Sequence, residues 1–327
     1  MTSSSEQSVA SPVPPARPVR WDIWVAVGIS VLVIAVFYAL VPRFGAGRSF
    51  SAFGWLASAW NKENDYEHGI IFPFLIAGLI FYRAKELREA IGRGSWLGLV
   101  VVVVGALFYA AAYRTLQPRI AVGALPFLLW GGALFLWGWQ VARLLAFPLF
   151  FFWLAIPLPG FQQATVWLQI IAAKGAHYGS SLFGVETVVR GTDILPVKGD
   201  WEPMSIAGGC SGIRSLMALL MISAAWAYVA KISLWKKVLL FLSAVPLAII
   251  GNALRVISIF LIAEHGDAQW ASTTWHDWSG LLLFYPFSLM LLLVIHSLLE
   301  GGLPWRAQNR RQLRRSLVTA APLQGEP

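Results

Sequence analysis

The sequence predicts an all-α polytopic membrane protein with about eight transmembrane helices, an interfacial amphipathic helix and a short extracytoplasmic strand or loop segment. Of its 327 residues, 57% are hydrophobic and only 13% are charged, whereas soluble proteins carry about 25% charged residues. The apolar residues also occur in runs longer than the core helices of soluble proteins require. Both observations indicate a chain that folds in a lipid bilayer.

The N-terminal segment 1–20, MTSSSEQSVASPVPPARPVR, is polar and rich in serine and proline, which is typical of disorder. The run WDIWVAVGISVLVIAVFYAL follows without a clear small-residue cleavage site, so we expect a retained first helix rather than a removed signal peptide. We therefore predict three regions: a disordered cytoplasmic N-terminus (1–20), a single transmembrane domain (21–300) and a basic cytoplasmic tail (301–327).

The membrane spans are predicted from apolar runs of about 20 residues, or fewer where a helix lies inside a bundle. Eight stretches qualify: 22–41, 69–82, 96–112, 120–139, 141–157, 211–230, 238–263 and 280–299. The segment 161–183 is also apolar but carries Lys174 and His177. It is predicted to be an amphipathic helix at the interface, with a ninth span as the alternative. The following VETVVRG alternates in the manner of a short strand.

The orientation in the membrane follows from the basic residues, because cytoplasmic loops are enriched in lysine and arginine. If eight spans alternate from a cytoplasmic N-terminus, most of the 25 lysines and arginines lie inside, including KISLWKK (231–237) and RRQLRR (310–315). Both termini are therefore predicted to be cytoplasmic. The outer loops then hold NKENDYEHG, the long loop before GGCSGIRS, and EHGDAQWASTTWHDWSG.

The chain has one cysteine, Cys210, in the stretch GGCSGIRS at the predicted outer end of a span. A single thiol makes neither an internal disulfide nor a zinc site, so it is either an inert buried group or a reactive one. Gly209 permits a sharp turn, and the amides of Ser211 and Gly212 at a helix start would favour a thiolate. Arg214 lies one turn further on, where thiolate support, substrate contact and snorkelling to the interface all stay open.

A second motif, GNALRVISIF (251–260), places Arg255 inside an otherwise apolar helix. Asn252 precedes it by three residues and thus lies on the same helix face. An arginine within a span is costly, so it must face a polar cavity or a partner. Its donors suit a carbonyl, a carboxylate or an oxyanion, and the alternative is a structural pairing with a buried acid.

A third motif, TTWHDWSGLLLF (273–284), contains His276, which titrates near neutral pH. Asp277 follows directly, and adjacent helical side chains point in different directions, so Asp277 is not expected to orient the imidazole. Taken alone, His276 is best interpreted as an interfacial histidine in an aromatic belt with Trp275 and Trp278. His68, in DYEHGIIFP, is predicted to lie at the outer end of the second span and to line the same site.

Together, CSGIRS, NALR, HDWSGLLLF and DYEHGIIFP resemble the exosortase/archaeosortase family over residues 60–297. The histidine in the third motif resembles the exosortase branch, since archaeosortases have an arginine there. The resemblance implies a multi-span cysteine protease or transpeptidase of the bacterial inner membrane. Its catalytic cysteine, arginine and histidine would be Cys210, Arg255 and His276. Supporting or substrate-binding positions would be Arg214, Asn252, His68, Ser211 and Gly209.

Family members recognise C-terminal signals made of a short motif such as Pro-Glu-Pro, a hydrophobic helix and a basic end. The resemblance therefore implies substrate proteins with such signals and the lipid bilayer as partners, a link to exopolysaccharide, and no metal or cofactor. The basic residues flank the predicted spans, which argues against nucleic acid as a partner. The chain ends soon after its last span, without the C-terminal domain fused to some exosortases, which leaves the recognised motif open. The rival interpretations are a transporter that binds an anionic solute through Arg214 and Arg255, and a membrane glycosyltransferase of polysaccharide export.

Overall fold

The computed structural model describes residues 21–45, 49–61, 64, 66–157, 160, 166–199, 201–205 and 212–301. The predicted disordered N-terminus, nearly all of the predicted basic tail and the start of the segment 161–183 lie outside the described residues. The described helices are α1 (Trp21–Ala35), α2 (Ala52–Ala59), α3 (Phe72–Tyr82), α4 (Ala84–Glu89), α5 (Leu97–Thr115), α6 (Pro118–Trp137), α7 (Trp139–Phe151), α8 (Val166–Ser181), α9 (Ile213–Val229), α10 (Leu234–Leu242), α11 (Ala244–His265), α12 (Ala268–Trp270), α13 (His276–Ser279) and α14 (Tyr285–Glu300).

The all-α polytopic class is confirmed. Among the described residues, four helical stretches are long and apolar enough to cross a membrane: Leu97–Thr115, Pro118–Trp137, Leu234–His265 and Ala268–Glu300. Shorter apolar helices cover Val25–Leu40, Glu67–Tyr82, Trp139–Ala155 and Ile213–Val229. Each of these eight overlaps a predicted span, while the number that actually cross the bilayer stays a prediction.

Helices α3 and α9 run side by side in the same direction. Glu67, in the 3₁₀ turn that leads into α3, pairs with Arg214 at the start of α9. At the other end, the guanidinium carbon of Arg83 lies 5.2 Å from the ring centroid of Tyr228 near the end of α9. Helix α7 runs the opposite way, because Phe151 at its end contacts Phe72 at the start of α3, whereas Phe147, one turn earlier, stacks on Tyr228 near the end of α9. These directions agree with alternation of the second, fifth and sixth predicted spans.

A small antiparallel sheet joins α8 to α11. Its strands, in the order β1-β2-β3, are β1 (Thr187–Arg190), β2 (Asp193–Pro196) and β3 (Met204–Ser205). His177 on α8 bonds Thr187 through Nδ1 and Oγ1 at 2.8 Å. Trp201 stacks on Phe260 of α11 and donates to Glu264 Oε2 at 2.8 Å. The short strand predicted in VETVVRG is therefore confirmed.

Helix α8 occupies most of the segment predicted to be an interfacial helix. Its small residues Ala172, Ala173 and Ala176 are fully or nearly fully buried and pack with Val256 and Phe260 of α11. Small side chains let two helices approach closely, which is the usual basis of helix packing in membranes. The helix is thus confirmed, and its position at the interface stays a prediction.

The last helical stretch, Ala268–Glu300, is not a regular α-helix. Two π-helical turns, Ala271–Trp275 and Gly280–Phe284, flank the single α-helical turn α13, which begins at His276. Such widened turns occur mostly as local interruptions and are frequent at functional sites. The irregular geometry therefore falls on the segment that carries the third sequence motif.

Candidate functional site

The start of α9 is packed against α11 by a glycine. Gly212, the residue before α9, has a left-handed backbone with φ of +72°, and a Cβ added there would lie 2.9 Å from both Cγ and Nδ2 of Asn252. Contacts that close exclude a side chain, so only glycine fits the turn and the approach. The predicted positions Gly209, Cys210 and Ser211 lie outside the described residues. The contact between Gly212 and Asn252 fixes the start of α9 against α11.

Arg255 lies on α11 and is buried, with 9% of its surface exposed. Its Nε donates to Ser279 Oγ at 3.0 Å, and its Nη2 donates to the backbone carbonyl of His276 at 2.8 Å. Both acceptors are neutral, and within the described part of the chain Arg255 has no acidic partner. The guanidinium therefore fastens α13 onto α11 and keeps a positive charge among buried groups.

His276 is placed by this contact at the edge of the buried cluster. Its side chain is 25% exposed, and its Nδ1 lies 3.1 Å from Oδ1 of Asp277. The expectation that Asp277, as a chain neighbour, is a poor candidate for contact with the imidazole is therefore wrong, because the rotamers of the two side chains bring Oδ1 to Nδ1. A carboxylate only accepts hydrogen bonds, so Nδ1 is the donor in this contact.

The two tryptophans of the predicted aromatic belt beside His276 have different environments in the structure. Trp275 donates from Nε1 to Ser258 Oγ at 2.9 Å and stacks on Trp270, whereas Trp278 is exposed. One tryptophan thus contributes to packing against α11, and only the other faces outward as an interfacial residue would.

Arg214 forms an ion pair with Glu67, in which Nε lies 2.8 Å from Oε2. The two side chains are 42% and 32% exposed, so solvent screens the pair only in part. The contact attaches the 3₁₀ turn Glu67–Ile71 to the first turn of α9. Sequence reasoning selected His68 from this turn and missed Glu67, although an acid at the start of an apolar span was a visible signal.

His68 itself is buried, with 7% of its surface exposed. Its ring lies between Tyr66, at a centroid distance of 5.3 Å, and Phe72, at 6.3 Å. Gly69 packs directly on the indole of Trp60, where a Cβ would collide. The motif DYEHG thus turns its aromatic residues and its glycine inward and directs its glutamate toward Arg214.

Tyr285, the first residue of α14, lies near both arginines. Its side chain packs against the apolar cluster that includes Leu216 of α9 and Ala248 of α11, and it is within electrostatic range of Arg214, Arg255 and Glu67. Sequence reasoning missed this residue too, because nothing in the apolar run GLLLFYPF distinguishes its tyrosine. The structure therefore brings together Arg214, Asn252, Arg255 and His276, with Glu67, Ser279 and Tyr285 as additional members.

No group of three or more histidine, cysteine, aspartate or glutamate side chains suited to a metal ion occurs within the described ranges. The cluster is instead built from two arginines, one histidine, the carboxylate of Glu67 and neutral hydrogen-bonding groups. These residues approach from the starts of α3, α9, α13 and α14 and from the middle of α11.

The helices and this cluster define a polytopic membrane protein with a cationic site embedded among its apolar helices. Residues 60–294 match the family model described as Transmembrane exosortase (Exosortase_EpsH). The match covers well over half of the chain, and the protein belongs to the exosortase family. No curated protein and no solved structure matches the chain significantly.

Proposed function

We propose that this protein is a membrane-embedded cysteine protease and transpeptidase that cleaves C-terminal sorting signals of exported proteins and transfers the cleaved protein to an acceptor. The single observation that carries the proposal is the hydrogen bond from Arg255 to the His276 carbonyl. It joins two of the three proposed catalytic residues, and both belong to the family-matched region.

The third proposed catalytic residue is Cys210. It precedes Gly212 by two residues, and consecutive Cα atoms are about 3.8 Å apart, so its Cα lies within about 7.6 Å of the Gly212 Cα. Gly212 contacts Asn252, which lies one helical turn before Arg255. The proposal places the Cys210 thiol beside the arginine and the histidine.

In the proposed first step, the Cys210 thiolate attacks the scissile carbonyl, and a C–S bond forms as the carbonyl π electrons move to oxygen. His276 accepts the thiol proton at Nε2 and returns it to the leaving amine as the C–N bond breaks. The remaining thioester is then attacked by the acceptor's nucleophile, which releases the thiol. The Asp277 contact supports this role, because it holds the proton of the neutral imidazole on Nδ1.

Arg255 is proposed to stabilise the oxyanion. Its Nε and Nη2 are engaged by Ser279 and His276, while Nη1 has no partner in the described part of the chain. A positive charge fixed in advance, with one donor edge available, is well suited to a developing negative charge in a site of low dielectric constant.

The proposed substrate segment lies beside α9, α11 and the last helical stretch, with its motif near Arg214. The Glu67 carboxylate already neutralises part of the Arg214 charge. Arg214 is therefore proposed to support the site through Glu67, with Asn252 and His68 packing around it. Ser211 and Gly209 are proposed to shape the segment around the thiol.

The proposal includes a location in the bacterial inner membrane, with both termini cytoplasmic and the active site on the periplasmic side. The proposal also includes one transmembrane domain over 21–300, followed by the basic tail 301–327. The distribution of basic residues supports this orientation.

The test is co-expression with a substrate that carries a short acidic motif, a hydrophobic helix and a basic C-terminus, followed by its size on a blot. Cys210→Ala and Cys210→Ser are expected to leave the substrate uncleaved at wild-type protein levels. Because Cys210 is the only cysteine, a membrane-impermeant maleimide reports on this position alone. Normal processing by Cys210→Ala, or labelling only from the cytoplasmic side, would contradict the catalytic role or the orientation, respectively.

A transporter of anionic solutes is the second candidate, because Arg214 and Arg255 are charged groups among apolar helices. The contacts favour it less: Glu67 pairs with Arg214, and two fixed acceptors engage Arg255. Solute uptake into vesicles that persists in Cys210→Ala, with no substrate cleavage by the wild type, would favour the transporter.

A further inference from the structure

A second polar site lies at the opposite end of α3 and α9 from the cluster around Arg255. An open-sided cavity of about 400 Å³ is lined there by Arg83, Gln140, Arg143, Leu144 and Tyr228. Tyr228 follows Arg214 by 14 residues on α9, so the cavity and the proposed catalytic site are separated by about 21 Å along the helix. This distance approaches the thickness of the bilayer's hydrocarbon core.

The cavity has an excess of positive charge. Arg83 and Arg143 line it, and the ammonium of Lys237 lies within electrostatic range of Arg83. Glu86 bonds Nη1 of Arg83 and supplies a carboxylate. The Nε of Arg83 is buried and has no hydrogen-bond partner in the described part of the chain. A buried donor of this kind costs free energy unless a ligand satisfies it.

The wall of the cavity is held in position by its own contacts. The Tyr228 ring stacks on Phe147 at a centroid distance of 4.4 Å, and its hydroxyl donates to the Leu144 carbonyl at 3.2 Å. The Tyr228 carbonyl accepts a hydrogen bond from Lys237 Nζ at 3.1 Å. The Tyr228 ring, which lies 5.2 Å from the guanidinium carbon of Arg83, is therefore held in place before a ligand binds, and this lowers the entropic cost of binding.

Exposed aromatic side chains indicate the depth of the cavity in a membrane. Tyr82 at the end of α3, Trp139 at the start of α7 and Trp235 on α10 are all more than half exposed. Tryptophan and tyrosine concentrate at the level of the lipid headgroups. A cavity next to these residues therefore opens where the phosphates of the lipids lie.

We infer that this cavity binds a phosphate group, held by the guanidinium groups of Arg83 and Arg143 with Lys237 nearby. Arginine forks match the geometry of phosphate oxygens, and basic pockets between transmembrane helices bind anionic headgroups. The phosphate belongs either to an anionic lipid or to a soluble ion. The site shares no residue with the proposed catalytic cluster, so its test is independent of the proposed function.

The experiment measures thermal unfolding of the purified full-length protein in detergent, by tryptophan fluorescence, during titration with three probes. The probes are phosphatidylglycerol, zwitterionic phosphatidylcholine and inorganic phosphate. The first variant is Arg143→Gln, which changes an exposed side chain. The second variant combines Arg143→Gln with Arg83→Gln. Arg88→Gln is the matched control, because Arg88 is exposed on α4 and does not line the cavity.

Phosphatidylglycerol is expected to raise the unfolding temperature more than phosphatidylcholine. Its apparent affinity is expected to fall by about tenfold or more in the double variant and to stay unchanged in Arg88→Gln. A full effect from inorganic phosphate alone, lost in Arg143→Gln, would support the site and identify a soluble ion. The proposal would be overturned if the wild type and both cavity variants had the same apparent affinity for phosphatidylglycerol and also the same apparent affinity for inorganic phosphate.

Discussion

Nη2 of Arg255 and the backbone carbonyl oxygen of His276 lie 2.8 Å apart, although 21 residues separate them in the chain. The same guanidinium donates from Nε to Ser279, one turn after His276. Arg255 thus holds both ends of the α-helical turn that lies between two π-helical turns. In the proposed mechanism, one residue both positions the general base and presents positive charge to the reacting carbonyl.

Arg255→Lys is expected to lower substrate processing by about 10²-fold, because one ammonium does not reproduce the planar fork that reaches Ser279 and His276 together. Ser279→Ala, which removes one neutral acceptor, is expected to have a much smaller effect. Processing is measured as the cleaved fraction on a blot, with protein levels matched. Normal cleavage by the lysine variant would contradict the proposed role of Arg255.

Gly212→Ala is expected to destabilise the protein by about 1–3 kcal/mol and to impair processing. The added Cβ would meet the Asn252 amide in a backbone conformation that side chains disfavour. Gly78→Ala is the control, since a Cβ there meets nothing within 4 Å. The measurement is the unfolding temperature in detergent. Equal unfolding temperatures for the two variants would show that the close approach at Gly212 is unimportant.

Glu67→Gln and Arg214→Gln are each expected to lower processing by about two- to fivefold, because the ion pair is only partly exposed and attaches two segments of the site. The reversal Glu67→Arg with Arg214→Glu is expected to recover part of the activity. Glu186→Gln is the control, because it breaks the more exposed pair with Lys198. If the loss of activity in the reversed double variant, expressed as a free energy, equals the sum of the losses in Glu67→Arg and Arg214→Glu alone, the two residues do not act together.

His276→Ala is expected to reduce processing by about 10²-fold or more, as loss of a general base does. Asp277→Asn is expected to cost about tenfold or less, since 81% of the Asp277 side chain is exposed and solvent weakens its contact with the imidazole. The rates of substrate cleavage after induction distinguish the two variants. If Asp277→Asn were as inactive as His276→Ala, the expectation that Asp277 makes only a small contribution to processing would be contradicted.

The order of the four sequence motifs predicted the family, and the family match confirms it. Hydropathy also predicted the helices, because a span needs enough apolar residues whatever its neighbours are. The roles assigned to Cys210, Arg255 and His276 stay predictions. The irregular helix around His276 was not predicted, since π-helical turns depend on contacts that a hydropathy pattern does not encode.

Two members of the cluster show why sequence reasoning was incomplete. Glu67 is adjacent to His68 in the chain, yet only its contact with Arg214 reveals its importance. Tyr285 follows an apolar run and becomes notable only beside the charges of Arg214 and Arg255. The average directions of helical side chains predict no contact between Asp277 and the imidazole, whereas its rotamer in the structure reaches the imidazole.

The sequence by itself determined that this chain is an α-helical membrane protein of the exosortase family, because long apolar runs and ordered motifs are local properties of a chain. Only the tertiary structure decided which groups meet: Arg255 with the His276 turn, Arg214 with Glu67, and Gly212 with Asn252. The physical reason is that a buried charge takes whichever partners folding brings within reach, and those partners lie far apart in the chain.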